Sequence, residues 1–371
     1  MARNLNFQAP PQLAIAEGAA TPNPGLVGVS VWSTTLAKPV YWTGSQWTAG
    51  SSGDGGGGSP GGSTGQVQYN SGGAFAGAEH VRVAEGDLML TAHEPDVLPG
   101  TNNVKLFVRS LATRLLPAFV GPSGLDSSLQ PLLARNKVAW FNPPGNANTV
   151  QTIGMAVPTA TGTPTAANVG TANIHQAMRR LEYAVTTAAT TAVAGLRVAA
   201  AQYHIGASST PFGGFTTVMR FGPSRGAAAN STRLFFAGMT SNTGAPTDVD
   251  PTAGTTWANM IAVVADAADV NYHIAHRTGT GAVTKIDTGI PKSAADATEM
   301  YELALFTAPT GTTVVGYQFA RLSDGLSFSG VINSNLPAAT TLLTWQAWTS
   351  VGGTSSVVGL SAASVYLETD F

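Results

Sequence analysis

The sequence predicts a mainly β protein whose C-terminal part, residues 206–371, is an antiparallel β-sandwich. From about residue 213, short β-prone runs recur at regular spacing, separated by Gly, Pro, Asp and Thr clusters. No long stretch of helical periodicity interrupts them, which argues against an α/β enzyme. A lectin-like jelly roll is the preferred arrangement. The predicted strands are 215–221, 233–239, 260–265, 271–276, 282–287, 300–306, 314–321, 326–332, 342–348 and 358–368.

Composition narrows the possible partners and cofactors. Charged residues make up 10% of the 371 residues, against about 25% in average soluble domains. A hydroxyl-rich surface of this kind suits extracellular β proteins, and compositional drift in a GC-rich genome would give the same numbers. The net charge of −2 offers no basic face for nucleic acid, and the absence of cysteine excludes disulfides and thiolate sites. We therefore expect no nucleic-acid partner, no cofactor and no bound metal.

The termini and the hydropathy pattern set an expectation about location. The start, MARNLNFQAPPQLAIAEG, lacks the apolar run of a signal peptide. Nothing approaches the roughly 18 apolar residues of a membrane span. We expect a protein made in the cytoplasm, without membrane insertion, which leaves the cell by another route if it acts outside.

Residues 1–49 form a short aromatic-rich block, and 50–65 form a linker. The linker, GSSGDGGGGSPGGSTG, has nine glycines among its sixteen residues and behaves as a flexible coil. The block before it is too small to be stable alone in most cases. We expect its aromatic side chains to anchor on another protein; a self-contained β-module is the alternative. These side chains are Trp32, Tyr41, Trp42 and Trp47.

Residues 66–205 are predicted to be a β-rich shaft with one helix. Apolar residues alternate at period two over 66–92, with turn signals at Asn70-Ser-Gly-Gly and Glu85-Gly. Strands this thin are marginal in water, and neighbouring copies of the chain would supply partners. The helix is placed at 171–189, where Ile174, Met178, Leu181 and Val185 fall at spacings of 4, 3 and 4. It could be a three-helix plug on a trimer axis or an ordinary helix packed on its own sheet.

Several phrases resemble bacteriophage tail fibres and related receptor-binding proteins. GQVQYNSGGAFAG at 65–77 is similar to a motif that follows a Gly-rich linker in such proteins. The Trp and Tyr pattern of 32–47, the segment 117–137 with Trp140, and phrases near 259, 279, 300 and 365 are also similar to parts of long-tailed phage fibres. These patches span most of the chain but are low in complexity.

The resemblance implies a homotrimeric fibre whose N-terminal block binds a tail or baseplate protein and whose tip binds a bacterial surface receptor. That receptor would be a glycan, a pilus or an outer-membrane protein. The protein would be part of the virion, made in the host cytoplasm and released by lysis. The expected mechanism is multivalent adhesion without catalysis. A tail-spike depolymerase or esterase, and a purely structural tail or baseplate protein, remain open alternatives.

Two pairs of residues could suggest catalysis or metal binding. His273 and His276 lie three apart on a predicted strand, so they point to opposite faces and cannot share one ion. Asp248 and Asp250 lie on one side of an extended segment and are the best local carboxylate pair, as glycoside cleavage would need. In a loop rich in Thr and Pro, such residues more often form turns. We therefore predict no catalytic residue.

Receptor contact is predicted for residues near the sandwich loops. Trp257 lies in a polar run just before a strand, while Tyr272 and His273 are adjacent on a strand, so that one faces outward. Asp248 and Asp250 complete this candidate set. Packing in the core or in a trimer interface is the alternative for each aromatic residue. Trp345 and Trp348, three apart on one strand, must also point to opposite faces, so we expect one of them to be exposed or at a subunit interface.

Overall fold

In the computed structural model, every described element is a β-strand. The described residues are 12–14, 18–19, 30–36, 38–49, 63–71, 74–122, 124, 126–128, 137–143, 149–167, 178–206, 213–226, 232–292, 299–308 and 314–369. They contain no helix, and so none that could cross a lipid bilayer. The chain divides into two compact units, residues 1–91 and 92–371.

The first unit begins with a four-stranded sheet that has its own small core. Its strands are β1 (Gln12–Leu13), β2 (Ser30–Ser33), β3 (Lys38–Trp42) and β4 (Trp47–Ala49). The sheet order is β1-β2-β3-β4, with β1 parallel to β2 and the other pairs antiparallel. Val31, Val40, Trp42 and Trp47 are buried together, and the two indole rings meet edge to face at 5.6 Å.

This core corrects part of the prediction for the N-terminal aromatic residues. Trp42 and Trp47 are 2% and 1% exposed, because alternate positions of the strands face the same side of the sheet. They stabilise the sheet itself and are not free to anchor on a partner. Trp32 and Tyr41 lie on its other face, where they are 37% and 42% exposed.

The first unit also contains a three-stranded antiparallel sheet, as the period-two pattern predicts. Its strands are β5 (Gln66–Ser71), β6 (Ala74–Ala84) and β7 (Asp87–Leu90). Glu85 and Gly86 have φ values of 55° and 91°, which suit the tight turn between β6 and β7. None of the described side chains in these strands is buried. Most of the predicted linker, residues 50–62, lies outside the described residues.

The second unit contains three sheets, and two of them form a sandwich. The first is a short antiparallel sheet of β8 (Lys105–Leu111), β9 (Arg114–Val120) and β10 (Asp126–Ser128). Strands of the nine-stranded sheet are β11 (Lys137–Asn142), β12 (Gln151–Ile153), β14 (Thr163–Ala167), β15 (Arg180–Ala189), β17 (Phe215–Gly226), β22 (Tyr301–Thr307), β23 (Val315–Arg321), β24 (Ser327–Ile332) and β26 (Ser356–Thr369). Strands of the seven-stranded sheet are β13 (Thr159–Thr161), β16 (Val193–Arg197), β18 (Leu234–Thr240), β19 (Met260–Ala265), β20 (Asn271–Arg277), β21 (Thr284–Pro291) and β25 (Thr344–Ser350).

The two large sheets pack face to face around one hydrophobic core. The nine-stranded sheet has the order β12-β11-β26-β17-β22-β23-β24, with β15 also paired to β26 and β14 paired to β15. The seven-stranded sheet has the order β13-β16-β25-β18-β19-β20-β21. All these pairings are antiparallel, and alternate residues of both sheets meet in the core. Each of the ten strands predicted after residue 213 is confirmed, with end shifts of a few residues.

Two predictions for residues 66–205 are wrong in this structure. Residues 180–189 of the predicted helix form strand β15, because Leu181 and Tyr183 alternate into the core while β15 pairs along β26. Residues 171–177 lie outside the described residues. The sandwich also begins before residue 206, since β11 and β15 pair with β26 and β16 pairs with β25.

The β8–β9 hairpin is tied to the outer face of the nine-stranded sheet. The Arg114 guanidinium donates to both carboxylate oxygens of Glu368, at 3.0 and 3.2 Å, and to the Thr216 hydroxyl at 2.6 Å. Glu368 also accepts a hydrogen bond from the Tyr366 hydroxyl at 2.8 Å. The hairpin therefore belongs to the sandwich unit, while Leu106 and Leu115 remain 57% and 59% exposed.

Candidate functional site

A long loop lies across the outer face of the seven-stranded sheet. It joins the end of β18 to the start of β19 and comprises residues 241–259; we call it the crossing loop. Loops of more than about 12–15 residues without regular structure are uncommon in compact domains and are often functional. The crossing loop covers a second apolar cluster, which includes Leu234, Phe236, Met260 and Trp348.

Trp257 attaches the crossing loop to this cluster. Its ring lies 5.1 Å from that of Phe236 and 5.0 Å from that of Trp348, at interplanar angles of 28° and 31°. The side chain is 0% exposed. The prediction that Trp257 contacts a receptor is therefore wrong in this structure, and its role is to hold the loop against the sheet.

Arg277, at the end of strand β20, anchors the same part of the crossing loop. Its Nε donates to the carbonyl oxygen of Trp257 at 2.7 Å, and its Nη1 donates to that of Gly254 at 2.8 Å. The side chain is 1% exposed. Burial lowers the pKa of the guanidinium from its usual value, yet arginine stays charged at any physiological pH. A buried cation is thus held by loop carbonyl groups.

Further hydrogen bonds fix both arms of the crossing loop. Arg197, on β16, donates to the Thr243 carbonyl oxygen at 2.6 Å. The Asn242 side-chain amide donates to the Thr256 carbonyl oxygen at 3.0 Å. This bond joins the part of the loop that follows β18 to the part that precedes β19. Hydrogen bonds therefore hold the crossing loop against the sheet at several points along its length.

Asp248 ties the far end of the crossing loop to the turn between β25 and β26. The backbone N–H groups of Gly352 and Gly353 donate to its two carboxylate oxygens, both at 2.7 Å. Those glycines have φ values of 58° and 78°, a conformation that turns consecutive amides toward one anion. At Gly352 a side chain would also collide with the Thr232 carbonyl oxygen.

Asp250 has a local role in the loop. Its Oδ1 accepts hydrogen bonds from the Thr252 backbone N–H at 2.7 Å and from the Thr252 hydroxyl at 2.8 Å. This is the turn-forming use of aspartate that the sequence context favours. Both carboxylates of the Asp248/Asp250 pair are therefore occupied by hydrogen bonds within the chain.

A depression of about 610 Å³ lies between the crossing loop and the β15–β16 hairpin. Its volume is within the range of small-molecule binding sites, roughly 300–1,000 Å³. Among the residues that the structure describes, its lining combines threonine hydroxyl groups with small aliphatic side chains, and Asp248 is the one charged residue. The lining residues are Thr161, Val185, Thr191, Ala192, Val193, Pro246, Thr247, Asp248 and Val249.

The other two predicted contact residues lie elsewhere. Tyr272 is 2% exposed and packs in the main core, with its ring 5.2 Å from Phe235 and 5.0 Å from Tyr301. It is not available to a receptor, which corrects that prediction. His273 faces outward, and its Nδ1 lies 3.5 Å from a carboxylate oxygen of Asp269.

His273 borders a compact cluster of charges at the β19–β20 turn. The Lys285 ammonium group lies 2.7 Å from carboxylate oxygens of both Asp266 and Asp269. Burial opposes ionisation of Asp266, but hydrogen bonding and the Lys285 charge outweigh it and hold the pKa of that carboxyl below its usual value. The cluster holds the turn together. His273 therefore lies beside the Asp269 carboxylate, which already pairs with Lys285.

The histidines on β20 are separated as the strand geometry predicts. His276 points into the sandwich, where its Nδ1 lies 3.2 Å from the Asn335 carbonyl oxygen, whereas His273 is on the outer face. Within the described ranges, no group of three His, Cys, Asp or Glu side chains is placed to hold a metal ion.

Of the five predicted contact residues, only Asp248 lines the depression. The threonine and valine residues around it escaped sequence analysis because they come from segments far apart in the chain. Local patterns at Thr161, Thr191 and Val249 are those of ordinary turns and strand ends. Only the pairing of β13, β15 and β16 with the rest of the sandwich brings them together.

No protein-family model and no curated protein sequence matches this chain. Among solved structures, it is similar to the protein of unknown function SO2946 from Shewanella oneidensis MR-1, with 12% identity and a TM-score of 0.40 over 65% of this chain and 90% of that one. It is also similar to the lectin from Bauhinia forficata in complex with GalNAc, with 11% identity and a TM-score of 0.40 over 63% of this chain and 98% of that one. It is similar as well to peanut lectin with a 9mer peptide, with 13% identity and a TM-score of 0.36 over 63% of this chain and 97% of that one.

Proposed function

We propose that this chain is a receptor-binding protein of a bacteriophage tail fibre, which attaches the virus particle to the bacterial surface without chemistry on the receptor. The depression beside the crossing loop is the observation that carries the proposal. Sugars present hydroxyl groups and apolar C–H faces together. Threonine hydroxyls beside valine, alanine and proline side chains match both kinds of surface.

The contacts that hold the crossing loop against the sheet support binding at this place. The Asp248 carboxylate, the buried Arg277 and the stacked Trp257 fix the loop before any ligand arrives. A preorganised wall loses little conformational entropy on binding. A surface glycan is therefore the receptor class that we favour over a pilus or an outer-membrane protein. The assignment of the sandwich as a lectin-like jelly roll belongs to the same proposal.

Trimer formation is proposed from the three-stranded sheet β5–β7. Tyr69, Phe75, Val83 and Leu88 are each 51–62% exposed, and none of the described side chains of this sheet is buried. Tyr69 lies opposite Ala76 and Phe75 lies opposite Asn70, so both faces of the sheet expose apolar side chains. A sheet of this size needs such side chains covered to be stable. We place two further copies of the chain against it, because each copy carries the same exposed sheet and a closed symmetric assembly covers all three. The three sandwich domains of such a trimer would bind one cell surface together, so that individually weak contacts add up to firm attachment.

Attachment to the tail is proposed for the exposed face of the four-stranded sheet. Trp32 and Tyr41 lie together on that face, and aromatic side chains of this kind are common anchors at protein interfaces. A tail or baseplate protein is the proposed partner. In this account the protein is a component of the virion and is released by lysis of the host.

Binding of the full-length chain to bacteria and to their surface polysaccharides tests the proposal. The labelled protein is incubated with a panel of strains and with lipopolysaccharide and capsule purified from those it binds. We expect binding that the purified glycan inhibits and that leaves the glycan chain length unchanged. Shortened or deacylated glycan would identify a depolymerase or an esterase instead. Binding to none of the strains or glycans would favour a purely structural tail protein.

A further inference from the structure

Strand β26 changes its hydrogen-bonding partner midway along one edge. Up to Ala362 it pairs with β15, and from Val365 onward it pairs with β11. On its other edge, Ser364 is opposite Arg220 and Ala362 is opposite Phe221, so Ala363 is an extra residue in a β-bulge. Bulges redirect side chains and are common next to binding sites.

A notch of about 270 Å³ opens at this point on the outer face of the nine-stranded sheet. The end of β11, the start of β15 and the bulge of β17 and β26 form its walls. It is lined by Asn142, Met178, Arg179, Arg220, Ala363 and Ser364. It lies on the other sheet from the crossing loop and shares no residue with the depression there.

The notch has a surplus of positive charge. The Nε of Arg220 donates to the Glu302 carboxylate at 2.7 Å, which neutralises one charge and fixes the guanidinium in place. Arg179 supplies a second positive charge. The charges of the next two charged residues along β15, Arg180 and Glu182, cancel each other. Burial lowers the pKa of Arg180, and the negative charge of Glu182 partly opposes this. One positive charge therefore remains at the notch.

Polar donors in the notch are available to a ligand. Within the described part of the chain, the side chains of Asn142, Arg179 and Ser364 take part in no hydrogen bond. A guanidinium carries five N–H donors, and the contact of Arg220 with Glu302 uses only the one on Nε. Met178 and Ala363 add a small apolar surface beside these donors.

We infer that the notch binds an oxyanion, a carboxylate or a phosphate, carried on a single sugar ring. Guanidinium groups recognise both anions through paired N–H donors. The amide of Asn142 and the hydroxyl of Ser364 suit neighbouring sugar hydroxyls, and Met178 suits the C–H face of a ring. The volume of the notch fits one ring. This inference does not depend on the proposed adhesion through the crossing loop.

Direct titration of the full-length chain with small saccharides tests the inference. The probes are sodium glucuronate, glucose 1-phosphate and neutral glucose, with binding followed by calorimetry or by ligand-observed NMR. We expect millimolar binding of glucuronate, of glucose 1-phosphate or of both, and none of glucose. The two acidic probes distinguish a carboxylate from a phosphate site. Added NaCl should weaken the binding, because exposed charges are screened.

Three variants connect the binding to the notch. Arg179→Gln and Arg220→Gln should each weaken binding of the acidic probe at least about tenfold. Arg321→Gln is the matched control, since it removes a surface arginine paired with Asp324 on the β23–β24 turn; its affinity should equal that of the unmodified chain. Thermal melting checks that each variant folds, and among the described residues Arg179 has no ion pair that the substitution would remove.

Equal affinity for glucose and glucuronate, no binding of either acidic probe, or equal losses in all three variants would overturn the inference. A Val249→Arg change, which blocks the depression at the crossing loop, should leave the acidic probe bound. This variant therefore separates loss of adhesion at the crossing loop from loss of saccharide binding at the notch.

Discussion

The buried guanidinium of Arg277 donates a hydrogen bond from Nε to the carbonyl oxygen of Trp257 at 2.7 Å, while the Trp257 ring stacks on Phe236. One residue is on strand β20 and the other near the end of the crossing loop. This contact joins the backbone of the loop to the sheet at the place where its side chain also packs. The proposed binding surface depends on both the Arg277 hydrogen bond and the packing of the Trp257 ring.

Replacing Arg277 with Met should destabilise the sandwich by about 2–3 kcal/mol, because buried carbonyl groups of Trp257 and Gly254 lose charged donors. Urea unfolding of the two proteins measures the difference. Arg321→Met is the control, since its ion pair with Asp324 is exposed to solvent and should contribute little to stability. Equal losses in the two variants would show that Arg277 is not an anchor.

Trp257→Ala should lower the free energy of unfolding by about 3–5 kcal/mol, as expected for truncation of a fully buried aromatic side chain. Trp140→Ala, at a position 41% exposed on β11, should cost less than about 1 kcal/mol. Chemical denaturation compares them. If Trp257→Ala were as stable as Trp140→Ala while losing adhesion, Trp257 would be a receptor contact and not a packing residue.

His276 should make stability fall on mild acidification. Burial lowers its pKa, and hydrogen bonding to backbone groups of Asn335 and Ser334 only partly opposes this. The folded protein therefore binds this proton less readily than the unfolded chain, whose histidine pKa is about 6.5. The contribution of neutral His276 is complete above that value and declines as the pH falls through and below it.

Unfolding free energies at several pH values between about 7.5 and 5.5, for the unmodified chain and for His276→Gln, measure this contribution. The variant should show a smaller decline with falling pH. Asp266 and Asp287, whose pKa values are below the usual value, stay ionised throughout that window. Identical pH dependence in the two proteins would contradict the assignment.

Self-association should depend on the exposed β5–β7 sheet. A Phe75→Ser and Leu88→Ser double variant removes two apolar side chains that are 55% and 62% exposed, and should shift trimers toward monomers in sedimentation velocity. Val270→Ser, at a position 78% exposed in the other unit, should leave the trimer unchanged. A monomeric unmodified chain at micromolar concentration would refute the proposed assembly.

The strands of the sandwich were predictable because their patterns are local. Residues 260–265 are a continuous apolar run, and the structure buries both faces of β19, one in the main core and one under the crossing loop. The opposite orientations of Trp345 and Trp348 were also predictable from strand geometry. The expectation that one of them is exposed is wrong, because Trp257 of the crossing loop covers Trp348.

The predicted helix shows the limit of spacing arguments. Leu181 and Val185 fit a helical stripe, but Leu181 and Tyr183 fit an alternating strand equally well. Pairing with the long strand β26, which is remote in sequence, decides between them. Long-range pairing also creates the notch at Arg220 and the depression at Val249, so neither site could be predicted from local sequence.

Adhesion by a Val249→Arg variant tests the central claim most directly. Val249 is 40% exposed on the wall of the depression, and an arginine there should occupy it. Val331→Arg, at a position 51% exposed on strand β24 of the other sheet, carries the same change in charge and size. We predict that Val249→Arg abolishes binding to bacteria that the unmodified chain binds, while Val331→Arg retains it. Full adhesion by a folded Val249→Arg protein would contradict the account.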